Sequence, residues 1–384
     1  MRRSQRLLAR SWAFALLAFC GSVVAEPTGF IAPAPRLASK SHYLVDFATD
    51  RVLAASAADV PVEPASLTKL MTAYVVFAAI KAGRIRFDDQ VVVSERAWRT
   101  GGTRMFIELN SQVGVADLLR GMLIQSGNDA SVALGEHVAG SVERFVNEMN
   151  AAAKVLGMDD SAFRNPHGLP ARGHVSSARD MAVLAKAIIA DFPESYSLYA
   201  EREFSYNGIT QHNRNALLWR DPSIDGMKTG HTDAAGYCLV SSAERDGMRL
   251  IVVVMGAESA RVRNDGAQQL LNYGFANYET HKLYSAGERL DAARVRGGEL
   301  EYANLGLAED LYVTIPRGAY TALAASMKQL AELAAPLPQG ARVGEVSVSL
   351  AGTLVASTPL IVLAPVADGG VWARMRDELL FLWE

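Results

Sequence analysis

Two β-like runs near the start of the chain, Tyr43 to Phe47 and Arg51 to Ala55, are matched by two more far downstream, Tyr237 to Ala243 and Arg249 to Met255. Ala48-Thr49-Asp50 turns the first pair and Glu244 to Met248 joins the second. Between the pairs, apolar residues recur at helical spacing: Leu67, Leu70, Met71, Tyr74 and Ala78 up to Gly83, then Val115 to Ile124, Asp129 to Val138, Val142 to Leu156 and Ala178 to Ile189. Strands at both ends with helices between them predict one sheet whose outer strands come from opposite ends of the domain, with the helices packed on it. The helix after Leu67 is apolar nearly all round and is therefore expected to be buried. A further helix pattern runs through Gln268 to Phe275. From Lys282 the texture changes to short alternating runs such as Leu311 to Ile315 and Arg342 to Leu350, broken by Gly and Pro. The expected division is a helix-and-sheet domain over 41–281 and a small all-β domain over 282–368.

The ends of the chain have a different character. Met1 to Arg10 carries four arginines and no acid, Ser11 to Val24 is mostly apolar, and Val23-Val24-Ala25 precedes Glu26. A basic segment, a short apolar segment and small residues are the pattern of a secretory signal peptide over 1–25, too short to span a bilayer, which needs about 20 apolar residues. Residues 26–40 are rich in Pro and Ala without periodicity and are expected to form a linker. Loss of the leader changes the formal net charge from −3 to −7, leaving 34 basic against 41 acidic residues, and discards Cys20, so the exported chain keeps one thiol, Cys238, and no internal disulfide. An acidic chain of this kind is not a nucleic-acid binder that relies on overall positive charge.

Three short strings carry chemistry. In Pro64-Ala65-Ser66-Leu67-Thr68-Lys69, a serine opens the buried helix with a lysine three residues on. Positions i and i+3 share a helix face, so the amine reaches the hydroxyl. A lysine kept neutral by dry surroundings can take the serine's proton, and the helix N-terminus offers backbone N–H groups to an oxyanion. Read alone, the pair is equally an N-cap serine and an ordinary lysine. Ser126-Gly127-Asn128 lies between two helical patterns, where it could point a hydroxyl and an amide into a cleft, although these residues also suit any helix–helix turn. Lys228-Thr229-Gly230-His231-Thr232 stands directly before the first late strand. A cation, a hydroxyl and a glycine on a strand edge would admit a substrate backbone; the plain alternative is an exposed strand end.

All three strings, in this order, resemble the motifs of the serine penicillin-recognising enzymes, and within them the low-molecular-mass D-alanyl-D-alanine carboxypeptidases (peptidase S11-like). Glu63 to Thr72, Ser126 to Ala130 and Asp225 to Thr232 carry the resemblance; Gly318, Ala335-Pro336-Leu337 and Pro359-Leu360 are similar to the family's C-terminal β-domain. The resemblance implies an α/β (α+β) transpeptidase/β-lactamase-like domain, an antiparallel sheet with helices, plus a small all-β domain. It implies that Ser66 attacks the carbonyl between two D-alanines with Lys69 as proton acceptor, and that Ser126 passes the proton to the leaving amine. Asn128 would hold the substrate's peptide and Lys228 would keep the cleft positive. Thr229 and Arg263 would bind the terminal carboxylate across Gly230, and the N–H groups of Ser66 and His231 would bind the oxyanion. The implied partners are peptidoglycan pentapeptide stems and, as covalent inhibitors, β-lactams.

Other residues are read more plainly. His167, beside Pro166 and Gly168, is expected to be structural; Asp180 stands at capping-box spacing from Ser177; Arg214 supports the cleft or lies on the surface; Cys238 belongs to the core. No His/Cys/Asp/Glu cluster has metal-like spacing, and no cofactor is expected. Trp372, Met375, Leu379, Leu382 and Trp383 share one face of a terminal helix over 369–384, expected to contact a membrane peripherally by apolar rather than electrostatic attraction. The expected function is a periplasmic serine D,D-carboxypeptidase. The alternatives are a D,D-endopeptidase, a β-lactamase, disfavoured because Ser161 to Asn165 holds no glutamate to activate water, and an inactive wall-binding scaffold.

Overall fold

The structure, a computed structural model, describes residues 31–329 and 332–381. The expected signal peptide lies outside the described residues. Strands β1 (Ser41–Asp46), β2 (Val52–Ser56), β3 (Ile224–Thr232), β4 (Gly236–Arg245) and β5 (Met248–Ala257) form one sheet in the order β2-β1-β5-β4-β3, every pair antiparallel. Its outer strands come from opposite ends of the domain, as the sequence pattern requires. β1 meets β5 directly, Ser41 opposite Met255 through to Asp46 opposite Leu250.

Alternate residues of these strands feed two cores. Tyr43, Val45, Ile251, Val253 and Met255 face a cluster with helices α1 (Thr68–Lys81), α2 (Asn128–Ala139), α3 (Val142–Val155) and α4 (Ala178–Asp191). Leu44, Leu250, Val252 and Val254 face Leu270 and Leu271 of α5 (Ala260–Asn277). Burial on both faces explains why the central strands read as continuous apolar runs instead of alternating ones. α1 is the most enclosed helix of the site: ten of its fourteen residues are buried, Thr68, Lys69 and Thr72 among them.

Three local expectations change. The Lys228 string is not a lead-in to a strand but part of β3, the sheet's outer strand, with Lys228 opposite Val240 and Gly230 opposite Cys238. Glu203–Tyr206 and Ile209–His212 form a hairpin within the stretch read as helical. Residues 31–40 have no regular structure but are not a free linker, since Ile31, Ala34 and Leu37 pack on the α5 side of the sheet and Lys40 Nζ donates to Ala234 O at 2.8 Å.

The second body begins with β6 (Tyr278–Tyr284), followed by β7 (Asp291–Arg296), β8 (Tyr302–Gly306), β9 (Leu311–Pro316), β10 (Leu323–Gln329), β11 (Leu333–Ala334), β12 (Arg342–Leu350) and β13 (Thr353–Val362). Six of them make a sheet in the order β10-β12-β13-β8-β7-β11, while β6 pairs with β9. A separate core of Val295, Leu305, Ile315, Val346, Val348 and Val362 fills it. The boundary expected near 282 falls inside β6, because that strand passes from one core to the other: Tyr278 packs with α5, Leu283 and Tyr284 with the second core. Helix α6 (Gly370–Phe381) follows, with Ala373 buried and Asp377 accepting from Gly297 N.

Candidate active site

The chain enters α1 through a single tight turn, Ala65–Leu67, with Ala65 at φ +47°. Ser66 is half-buried on this turn, and β3 runs along it. A Cβ on Gly230 would stand 3.0 Å from Ser66 N and 3.1 Å from Pro64 O, so only glycine lets the strand edge come this close to the serine.

Lys69 lies beneath Ser66 and is fully buried. Its Nζ is 3.0 Å from Ser66 Oγ, 2.7 Å from Asn128 Oδ1 and 2.6 Å from His167 O. Burial holds the amine well below the ordinary lysine range, and the nearby positive charges of Lys228 and Arg214 lower it further, against a smaller opposing effect of Asp129. A neutral amine has two N–H groups and one lone pair. With both N–H groups on the two carbonyl oxygens, the lone pair of such an amine would be free to face the Ser66 hydroxyl.

Asn128 reaches this point, two residues after Ser126, by an unusual route. Val115–Arg120 is an α-helix, but the next turn, Gly121–Gln125, widens to π geometry and ends at Ser126 in the left-handed region, φ +74°. Such interruptions collect at functional sites. Ser126 and Asn128 are both buried. The Asn128 amide donates to Gly101 O at 2.7 Å, which fixes its oxygen toward Lys69.

Lys228 is buried on β3, its Nζ donating to Thr229 O at 2.9 Å, and burial with Arg214 and Arg263 lowers it to about 7. Thr229 is buried beside it. Arg263, in the first turn of α5, is also buried; its Nε donates to Asn264 Oδ1 at 3.0 Å, and burial lowers its guanidinium to about 10. His231 is exposed at the end of the motif with its ring 4.0 Å from that of Tyr237. Arg214, which sequence alone left between cleft and surface, is exposed to solvent and is nonetheless one of the cations acting on both Lys69 and Lys228.

The plain readings divide. The His167 ring is structural, as expected, its Nδ1 accepting from Leu169 N, but its carbonyl belongs to the Lys69 cradle, and nothing in a side chain's identity announces a backbone contact. Ser177 caps α4 by accepting from Asp180 N; the Asp180 carboxylate turns instead to Asp160 N and Ser161 Oγ. Cys238 is a core residue, its thiol pushed up to about 11 by burial. Among the described residues no group of three His, Cys, Asp or Glu side chains is placed to hold a metal. Sequence reasoning passed over Thr68, Thr72 and His174, buried polar residues around the first turn of α1.

Comparison with known proteins identifies the family. A family model described as D-alanyl-D-alanine carboxypeptidase matches residues 28–259, and one described as penicillin-binding protein 5, C-terminal domain, matches 278–367. The D-alanyl-D-alanine carboxypeptidase DacC of Escherichia coli (strain K12) is 44% identical over 366 residues, 92% of each chain. A D-alanyl-D-alanine endopeptidase of the same organism is 36% identical over 233 residues, 58% of this chain and 73% of its own. Penicillin binding protein 5 from Haemophilus influenzae superimposes with a TM-score of 0.84 at 42% identity, covering 88% of this chain and 99% of that one. Penicillin-binding protein D2 from Listeria monocytogenes, solved in an ampicillin-bound form, gives a TM-score of 0.59 at 31% identity over 64% of this chain and all of that one. With relatives of this identity along nearly the full length, the chain belongs to the D-alanyl-D-alanine carboxypeptidase family of serine peptidases and is a D-Ala-D-Ala carboxypeptidase.

Proposed function

We propose that Ser66 is the nucleophile of this carboxypeptidase and Lys69 its base. The observation that supports the assignment is the pair of carbonyl oxygens, Asn128 Oδ1 and His167 O, within 2.7 Å of a buried amine whose nitrogen lies 3.0 Å from Ser66 Oγ, so that a neutral lysine with both N–H groups on those oxygens would turn its lone pair to the hydroxyl. The proton passes to Lys69 as Ser66 Oγ bonds to the carbonyl carbon of the penultimate D-alanine of a pentapeptide stem. The backbone N–H groups of Ser66 and His231 receive the oxyanion, whose stabilisation is worth more in a water-poor cleft than in solution. The carbon–nitrogen bond then breaks, Ser126 relays the proton to the departing D-alanine amine, and water hydrolyses the ester to restore Ser66. Asn128 holds the stem's peptide; Lys228, Thr229 and Arg263 receive the terminal carboxylate. A β-lactam carbonyl meets the same serine, which supports covalent inhibition.

Released D-alanine from a pentapeptide ending in D-Ala-D-Ala, measured with and without penicillin, tests the assignment. Ser66→Ala should abolish both turnover and penicillin labelling; labelling that survived would remove Ser66 as nucleophile. The endopeptidase reading has less support, because the relative bearing that name aligns over little more than half of this chain while carboxypeptidases align through the second body as well.

We further infer export by the 1–25 leader and peripheral attachment to the outer face of the cytoplasmic membrane. No helix among the described residues is long and apolar enough to cross a membrane. Instead α6 leaves Val371, Trp372 and Met375 exposed while Ala373 faces the protein, an apolar face suited to the lipid boundary. Deleting Trp372 to Glu384 should shift the protein to the soluble fraction with its penicillin labelling intact; an unchanged distribution would count against attachment.

A further inference from the structure

The Ser66 turn holds a non-glycine residue, Ala65, in the left-handed region, a conformation that persists only where its surroundings enforce it. Two contacts enclose it, and a third holds one of them in place. Gly168 lies so close that a Cβ there would stand 1.9 Å from Ala65 O. Thr68 Oγ1 is 2.8 Å from the same carbonyl. On its other side, Thr68 Oγ1 is 2.7 Å from Nε2 of His174, which is buried against Phe163.

The direction of each hydrogen bond in this chain is fixed by elimination. A carbonyl only accepts, so the Thr68 hydroxyl donates to Ala65 O. Its proton is then spent, and His174 Nε2–H must donate to Thr68 Oγ1. That tautomer leaves Nδ1 as an acceptor, and Nδ1 is 3.0 Å from the Arg164 backbone N–H. Burial lowers His174 to about 4, so the neutral ring demanded by this pattern is the form present at neutral pH.

We propose that His174 is a positioning residue for acylation: through Thr68 it holds the Ala65 carbonyl, and with it the turn that presents Ser66 to Lys69. The proposal rests on Ser66 being the nucleophile and adds a part of the machinery that lies 106 residues from Thr68 in sequence.

The test is the second-order rate constant of acylation by a fluorescent penicillin, measured on the full chain and referred to the folded fraction. Thr68→Val removes the hydroxyl at nearly constant shape. His174→Asn keeps an acceptor for Arg164 but loses the reach to Thr68, whereas His174→Gln places an amide donor near the Nε2 position. Thr68→Val and His174→Asn should each slow acylation roughly tenfold, the rate equivalent of one buried hydrogen bond. The double variant should be no slower than either single one, and His174→Gln and Thr68→Ser should recover to within about threefold of the native rate. Native acylation rates in Thr68→Val and His174→Asn, or losses that multiply in the double variant, would overturn the proposal. A fold-supporting role alone would lower the melting temperature of Asn and Gln variants alike without separating their rates. Ser66→Ala stands apart as the control: persistent labelling there would refute the nucleophile on which the proposal rests, a failure distinct from native acylation rates in the Thr68 and His174 variants.

Discussion

Two buried polar centres sit in the first domain, and they are built on opposite terms. Around Ser66, cations outnumber anions: Lys69, Lys228 and Arg263 are all buried with Arg214 acting on both lysines, Asp129 opposes only weakly, and each cation is pushed below its usual range chiefly by loss of water. At the turn between β1 and β2, buried Asp46 is instead satisfied on both oxygens. Oδ1 accepts from Ala48 N, Thr49 N and Thr49 Oγ1; Oδ2 accepts from Thr280 Oγ1 of β6. Thr314 of β9 closes the group, 2.5 Å from Thr49 and 2.9 Å from Thr280. The first centre lowers the proton affinity of its lysines by withholding water; the second uses a carboxylate to join the two bodies. Desolvated charge is therefore no single kind of feature, and what it does depends on whether partners replace the lost water.

The comparison breaks most sharply at Lys69. Lys69→Arg keeps a cation in the cleft, yet a guanidinium does not lose its proton near neutral pH and cannot act as the base. The acylation rate should fall roughly 10³-fold, within the range general-base catalysis supplies, while the midpoint of urea unfolding changes little by comparison. An arginine variant acylating near the native rate would show that positive charge, not a free lone pair, is what the site needs.

Asp46→Asn should do the reverse. An amide nitrogen in place of one oxygen turns a donor toward hydroxyl or N–H donors, at a cost of about 2–4 kcal/mol in unfolding free energy. Acylation per folded molecule should stay native. Loss of rate without loss of stability would mean that the junction communicates with the cleft and that the two centres are not independent.

How much of this was legible depended on whether the signal was local. α1 was readable because its apolar spacing and Gly83 lie within one segment; that the sheet feeds a core on each face was not read, although the apolar run of β5 carried the signal. β3 was not, because Asp225-Gly226-Met227-Lys228-Thr229-Gly230 has neither alternation nor β-branched density; it is a strand because β4 pairs with it. The hairpin over Glu203–His212 was legible and was passed over: Asn207-Gly208, both at positive φ, sit between alternating residues, the strongest short-range hairpin signal there is. The motif serines and lysines were legible as types and spacings. Arg214 was seen but left between cleft and surface, and His167 O and the His174–Thr68 contact were not seen, since each acts through a neighbour supplied by a distant segment.

Arg214 gives the smallest effect and the finest discrimination between the centres. It lies second among the influences lowering Lys228 and third among those lowering Lys69, after burial in both cases. Removing its charge in Arg214→Gln raises both amines toward their ordinary range, so at a given pH less Lys69 is neutral and the acid limb of the acylation profile moves to higher pH. Relief of like-charge repulsion acts on stability in the opposite sense, a gain of no more than about 1 kcal/mol. A slower enzyme at neutral pH that unfolds at slightly higher urea is the signature of a centre held at the expense of stability. A variant that is both slower and less stable would place Arg214 with Asp46, as a residue that holds the fold together and affects chemistry only through it.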